Sequence, residues 1–399
     1  MHIRNRRLTL INLEYALIQG LYWVSFCGIV TYAAVSLQAR GYSNTALGQI
    51  LAVGYILGFL IPQLLANVID RSDTITVYHC QWLLLALQTV LVLLLKQYPG
   101  RGAVISVLSC LLIASEITLN PMNTSISTDL EHRIGHINYG AARGTGSIAF
   151  APFTILLGKL VEDFGTGILP GIYLLCIALQ AAALLLLSLS IRRFRSAPVG
   201  KAAGTGRSFA QFARQNKHFF GLLAGIALLF FTHNLVNNYQ INVVRNVGGD
   251  TSDMGIISGF AAFMEIPMMF FYDRLLRRFR CESTVRFASL MFVAKALAVA
   301  FAGSMGSLLS ANLLQTFSFA MITPAMVAYV NLYIDPRDSA KGQALAFGMV
   351  TLGNILSTAV GGRLYDSLSV HAVLIVGACA ALLGSALCHA FSRPARQEI

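Results

Sequence analysis

The sequence is short of charge. Only 12% of its 399 residues are Asp, Glu, Lys or Arg, about half the roughly 25% of soluble domains, which excludes an ordinary water-facing globule. The motifs of common chemistry are missing too. There is no P-loop, no HExxH metal motif and no GxSxG nucleophile elbow, so nothing points to ATP hydrolysis, metal-assisted hydrolysis or serine-type acyl transfer. His79, His132, His136 and His371 read as interfacial or loop residues. The seven cysteines, Cys27, Cys80, Cys110, Cys176, Cys281, Cys379 and Cys388, lack metal-ligand spacing and read as small packing residues. Neither a cofactor nor an enzymatic activity is expected. A cleavable leader is not expected either: RNRR precedes the first apolar run, but that run is long, contains Glu14 and lacks a small-residue cleavage site.

What the chain has instead is apolar length. It is 56% hydrophobic, with a mean hydropathy of +0.67. About 20 apolar residues cross a bilayer, and twelve such runs can be read, at 11–36, 44–69, 76–95, 102–125, 140–160, 167–190, 218–241, 254–273, 283–303, 306–333, 340–361 and 369–391. Alternating barrel strands do not fit these runs, and in lipid only helices satisfy their own backbone. The expected fold is an all-α membrane protein with twelve transmembrane helices.

The net charge of +12 is explained by topology rather than by nucleic acid. With both termini inside, the inner segments collect 22 Lys and Arg residues and the outer segments 6, with Lys295 left inside a span. That is the positive-inside distribution of a plasma or bacterial inner membrane protein whose basic face meets anionic lipid.

The polar segment 191–217 divides the chain into halves, 1–190 and 218–399, of six spans each. Landmarks recur between them. Pro62 precedes Asp70-Arg71 as Pro267 precedes Asp273-Arg274, Asn120-Pro121 answers Thr323-Pro324, and GKLVED answers GRLYD, all at offsets close to 203 residues. Such offsets mark a parallel duplication into two six-helix pseudo-repeats, a plan that in the membrane transporters it resembles is arranged around a central cavity.

On these residues the chain resembles the major facilitator superfamily. DRLLRRFR from Asp273 looks like its cytoplasmic loop motif, of which IDRSDT keeps only Asp70-Arg71. NYGAARGTGSIAFA (138–151) resembles the fifth helix of the lactose-permease-like oligosaccharide:proton symporters, and AAFMEIP the eighth helix of sugar-efflux members. The resemblance implies a monomeric transporter of a small polar solute, a sugar or glycoside, coupled to protons. An uncoupled facilitator or exporter and a non-transporting sensor are the alternatives. It also implies that Asp70, Arg71, Asp273, Arg274, Arg277 and Arg278 gate one face, where simple positive-inside anchoring is the other reading.

Ionisable residues inside spans are the candidate site, because each costs about 2.5 to 3.5 kcal/mol at a helix centre. Glu116 precedes the Asn120-Pro121 break by one turn; it either couples protons or is hydrogen-bonded to a neighbouring helix. Glu265 and Lys295 lie on adjacent helices, as a coupling pair or a structural one. Arg143 either snorkels or clamps solute hydroxyls, and it matches a sugar-contacting arginine of the lactose-permease-like branch. His233, Asn234, Asn237, Asn238 and Gln240 span an arc of about 160° on one helix, to line a cavity or to bond between helices. Gln19, Tyr22 and Trp23 offer a stacking platform or simply pack. The chain also departs from that branch: Gln315, Ser318 and Met321 stand where lactose permease carries its titrating tenth-helix residues, and Asn123 near the acid of its fourth helix. Lactose itself is therefore not the expected substrate.

Overall fold

The computed structural model describes residues 2–72, 74–98, 100–135, 137–192 and 208–392. Most of the expected dividing segment therefore lies outside the described residues, as do the side chains of Asp70 and Asp273. Among the described residues, twelve helices are long and apolar enough to cross a membrane. They are α1 (Leu8–Ala39), α2 (Asn44–Ile69), α3 (Val77–Gln97), α4 (Ala103–Glu131), α5 (Tyr139–Phe164), α6 (Thr166–Ile191), α7 (Lys217–Asn237), α8 (Thr251–Tyr272), α9 (Cys281–Ala300), α10 (Met305–Tyr333), α11 (Lys341–Ser367) and α12 (Val370–Phe391). Large apolar side chains such as Leu83, Val90, Leu186, Phe263, Phe270 and Leu383 stay exposed, which suits hydrocarbon as the solvent.

The chain forms two compact units, Met1–Lys201 and Ala202–Ile399. In the first, α1 packs on α5 and α6, α4 on α2 and α3, and α3 on α6. In the second, α7 packs on α11 and α12, α10 on α8 and α9, and α9 on α12. Each pairing of one unit has its counterpart six helices later, so the repeat read in the prolines extends to packing. It reaches single hydrogen bonds as well. Tyr32 Oη donates to the Thr154 carbonyl at 2.9 Å, tying α1 to α5, and Tyr239 Oη donates to the Thr358 carbonyl at 3.0 Å, tying the turn after α7 to α11.

The sequence marks Gly140, Gly144, Gly146, Gly348 and Gly353 of the fifth and eleventh spans as sites of close helix approach, and the structure closes up at some of them only. A Cβ at Gly146 would meet Trp23 at 2.2 Å, and one at Gly353 would meet the Phe230 Cβ at 2.8 Å, whereas Gly144 and Gly348 have nothing within 4 Å. The Gly225–Gly384 approach of α7 and α12, where a Cβ on either glycine would lie 2.8 Å from the other's carbonyl oxygen, is an addition.

Three spans are less regular than their hydropathy implies. The seventh stops at Asn237, and the chain restarts as a short helix, Gln240–Asn246; the Asn238 amide is spent on Asn354 Oδ1 at 2.7 Å. The tenth is interrupted by a 3-10 turn, Asn312–Gln315, before helix resumes at Phe319. A π-helical turn, Cys27–Thr31, similarly interrupts α1.

Candidate functional site

Each unit builds its own polar cluster. In the first, Glu116 of α4 is fully buried. Its Oε2 accepts from Gln88 Nε2 of α3 at 2.8 Å and from Ser25 Oγ of α1 at 3.2 Å, while Oε1 has no hydrogen-bond partner among the described residues. This bond belongs to an antiparallel series along α3 and α4. Gln81 Nε2 donates to Asn123 Oδ1 at 2.7 Å, and Tyr78 Oη to Asp129 Oδ2 at 2.8 Å, with Arg133 held to Asp129 at 2.7 Å. Asn123, the residue aligned near a family acid, is thus an interhelical tie.

Arg143 opens α5, and its guanidinium lies 4.0 Å from the centre of the Trp23 ring on α1. Gly146, one turn further on, leaves the space the indole occupies. Tyr22, Trp23 and Phe26 form a run of edge and tilted ring contacts with centroids 5.1 to 6.1 Å apart. Gln19 turns away from it, its Nε2 donating to Tyr15 Oη at 2.7 Å. The result is a planar cation stacked on an aromatic face, an arrangement worth about 0.5 to 2 kcal/mol and suited to a flat or hydroxylated ligand.

The second unit brings four helices together. Glu265 of α8 and Lys295 of α9 are joined through an amide: Gln315 Nε2 donates to Glu265 Oε1 at 2.8 Å, and Lys295 Nζ donates to Gln315 Oε1. Gln315 and Lys295 are both buried. Beyond them His233 of α7 stacks on Phe319 of α10, with centroids 4.6 Å apart and planes 16° from parallel, and its Nε2 accepts from Asn237 Nδ2 at 2.8 Å. Asn234 Nδ2 is buried without a hydrogen-bond partner among the described residues, whereas Gln240 accepts from Ser258 Oγ at 2.7 Å. The amides of the seventh span are thus divided between the cluster and interhelical bonding.

Arg71, Arg274, Arg277 and Arg278 are exposed, and Arg274 lies 5.2 Å above the Phe271 ring. Their acidic partners in the motif, Asp70 and Asp273, lie outside the described side chains. Gln88 is not singled out by the sequence, where its signal is a lone amide in LLALQTVLVLLL, and Gln315 stands out there only as a non-titrating departure from the family pattern; an uncharged side chain does not announce its partner. Among the described residues no group of three or more His, Cys, Asp or Glu is placed to hold a metal ion.

Comparison with known proteins agrees with this architecture. The chain is 26% identical over 374 residues to the maltose permease of Geobacillus stearothermophilus, covering 93% of this chain and 92% of that one. In fold it is similar to a variant of the nucleoside transporter NupG, with a TM-score of 0.79, 14% identity and coverage of 96% of this chain and 99% of that one. It is also similar to a bacterial homolog of the human lysosomal transporter Spinster in an inward-facing, unoccupied conformation, with a TM-score of 0.68, 15% identity and 97% of both chains covered. The model of the MFS_1 like family matches residues 13–376. Twelve membrane helices in duplicated six-helix units, matched by that model over nearly the whole chain, place this protein in the MFS_1 like family, as a multi-pass transporter of the major facilitator superfamily.

Proposed function

We propose that this transporter carries a sugar or glycoside-like solute by alternating access, as a monomer with both termini in the cytoplasm, and couples the movement to protons. The observation that carries the reading is the hydrogen-bonded chain from half-buried Glu265 through buried Gln315 to buried Lys295, with His233 stacked on Phe319 of the same helix as Gln315. Ionisable groups in spans mark ion and solute pathways, and a carboxylate facing an ammonium across one amide has two charge states of different hydrogen-bonding capacity. Arg143 on Trp23 supports a hydroxylated solute, because a guanidinium offers a fork of donors and an indole a flat apolar face. The maltose permease relative favours the same solute class. Exposed Arg71, Arg274, Arg277 and Arg278, with Asp70 and Asp273, serve as the gate of the inner face in this reading.

The test is uptake into proteoliposomes with and without an imposed pH gradient, across maltose, other glycosides and nucleosides. The expected result is accumulation of one sugar at least about tenfold above equilibrium with the gradient and simple equilibration without it. Glu265→Gln is expected to abolish accumulation and keep counterflow exchange. Equilibration alone under both conditions indicates an uncoupled facilitator, and binding without flux a sensor.

A further inference from the structure

We propose that Gln315 is a positioning residue for ion coupling: its amide, rather than a direct ion pair, ties Glu265 to Lys295 and transmits protonation of the carboxylate to the broken segment of α10. The inference rests on the coupling role given above to Glu265.

An amide has a donating and an accepting end, and here each end faces the charge that suits it. The NH2 group points at the carboxylate and the carbonyl at the ammonium, so each charge favours the orientation that the other requires. A hydrogen bond to a charged acceptor is roughly twice as strong as one to a neutral acceptor. A proton on Glu265 therefore weakens the hold on the NH2 end, and the orientation that serves Lys295 loses half of its support. A direct carboxylate–ammonium pair in the same surroundings would be much harder to part.

The backbone at Gln315 is placed to respond. Gln315 ends the 3-10 turn Asn312–Gln315, and helix resumes only at Phe319. The next residue, Thr316, donates its hydroxyl to the Met264 carbonyl at 2.6 Å. Consecutive residues of α10 thus grip consecutive residues of α8, one through a neutral bond that protonation leaves intact and one through a charge-assisted bond that it weakens. The segment can turn about Thr316 without parting from α8. Phe319, one turn beyond, carries the ring on which His233 stacks, so movement there reaches α7. Among the described residues, the titratable groups linked to the amide are Glu265 on α8, Lys295 on α9 and, through the charge of the lysine, His233 on α7.

Infrared difference spectroscopy tests this on the full chain in lipid vesicles, with the proton as the only probe and no solute added. As pH is changed, a carboxyl band that disappears in Glu265→Gln should be accompanied by a side-chain amide band that disappears in Gln315→Met, and Glu265→Gln should abolish both. If Gln315→Met does not fold, the isosteric exchange Glu265→Gln with Gln315→Glu keeps the same groups but sets the acid directly beside Lys295. In proteoliposomes containing maltose that exchange is expected to retain counterflow and lose at least about tenfold in gradient-driven accumulation. An amide band that persists in Glu265→Gln, or an exchanged protein that accumulates maltose like the native one, overturns the role of Gln315 and leaves Glu265 coupling standing. Absence of any Glu265 carboxyl band across the titration overturns both.

Discussion

A buried acid is read by its partners. Glu116 offers one oxygen to two donors from α1 and α3 and sits in register with two further ties between α3 and α4, which favours the interhelical reading over coupling. Glu116→Gln keeps an oxygen for both donors and is expected to unfold within about 1 kcal/mol of the native chain, whereas Glu116→Ala strands the buried Gln88 amide and should cost about 1 to 3 kcal/mol. Detergent-titrated unfolding measures both, and loss of transport in a well-folded Glu116→Gln would return Glu116 to the list of coupling groups. Arg143 calls for the opposite kind of test. Its guanidinium lies over Trp23, and a lysine keeps the charge but loses both the planar face and the fork. Arg143→Lys is therefore expected to weaken binding of the sugar identified in the uptake assay about tenfold, as much as Arg143→Ala; near-native affinity in the lysine variant would make Arg143 an electrostatic anchor. Which residues to question was legible in the sequence, because a charge in an apolar run stands out at Glu116, Arg143, Glu265 and Lys295. Who answers them was not, because their partners Ser25, Gln88, Trp23 and Gln315 are uncharged and distant in sequence.

At the level of elements, legibility divides in the same way. The twelve spans could be read because lipid demands about 20 apolar residues with internally bonded backbone, a requirement that does not depend on neighbours. The breaks at Asn237–Gln240 and Asn312–Phe319 could not, because they depend on what other helices supply: Asn354 for the Asn238 amide and the Met264 carbonyl for Thr316. The duplicated tyrosine ties show how strongly packing depends on such bonds. Tyr32 and Tyr239 are wholly buried, and each donates to a carbonyl of a helix five positions along its own half. Removing one hydroxyl should cost about 0.5 to 1.5 kcal/mol. Because the two ties lie in separate compact units and share no partner, Tyr32→Phe and Tyr239→Phe are expected to add, with the double variant within about 0.5 kcal/mol of the sum. A larger coupling energy in the same unfolding assay would show that the units do not carry these ties independently.

For the whole molecule, the repeat makes the strongest prediction. Helix pairings recur six helices apart and landmark residues recur near 203 positions apart, so each half is one compact body built to the same plan. Two such bodies that rock as wholes exchange access from one membrane face to the other, whereas a channel or sensor has no need to close one face as it opens the other. Cysteine labelling can follow this with little background: six of the native cysteines are buried and only Cys379 is exposed, so Cys379→Ser leaves a quiet parent. Single cysteines then go at repeat-related positions, Ser72 and Leu275 after or near the ends of α2 and α8, and Ala39 and Arg245 at the opposite ends of α1 and the short helix after α7. Under the positive-inside orientation the first pair reports the inner face and the second the outer. Adding the sugar identified in the uptake assay to proteoliposomes should move labelling of the two pairs in opposite senses, by a factor of about three or more, with both members of a pair moving together if each half moves as a unit. Labelling that rises or falls at both faces at once would exclude alternating access, and divergence within a pair would mean that the halves deform rather than rock.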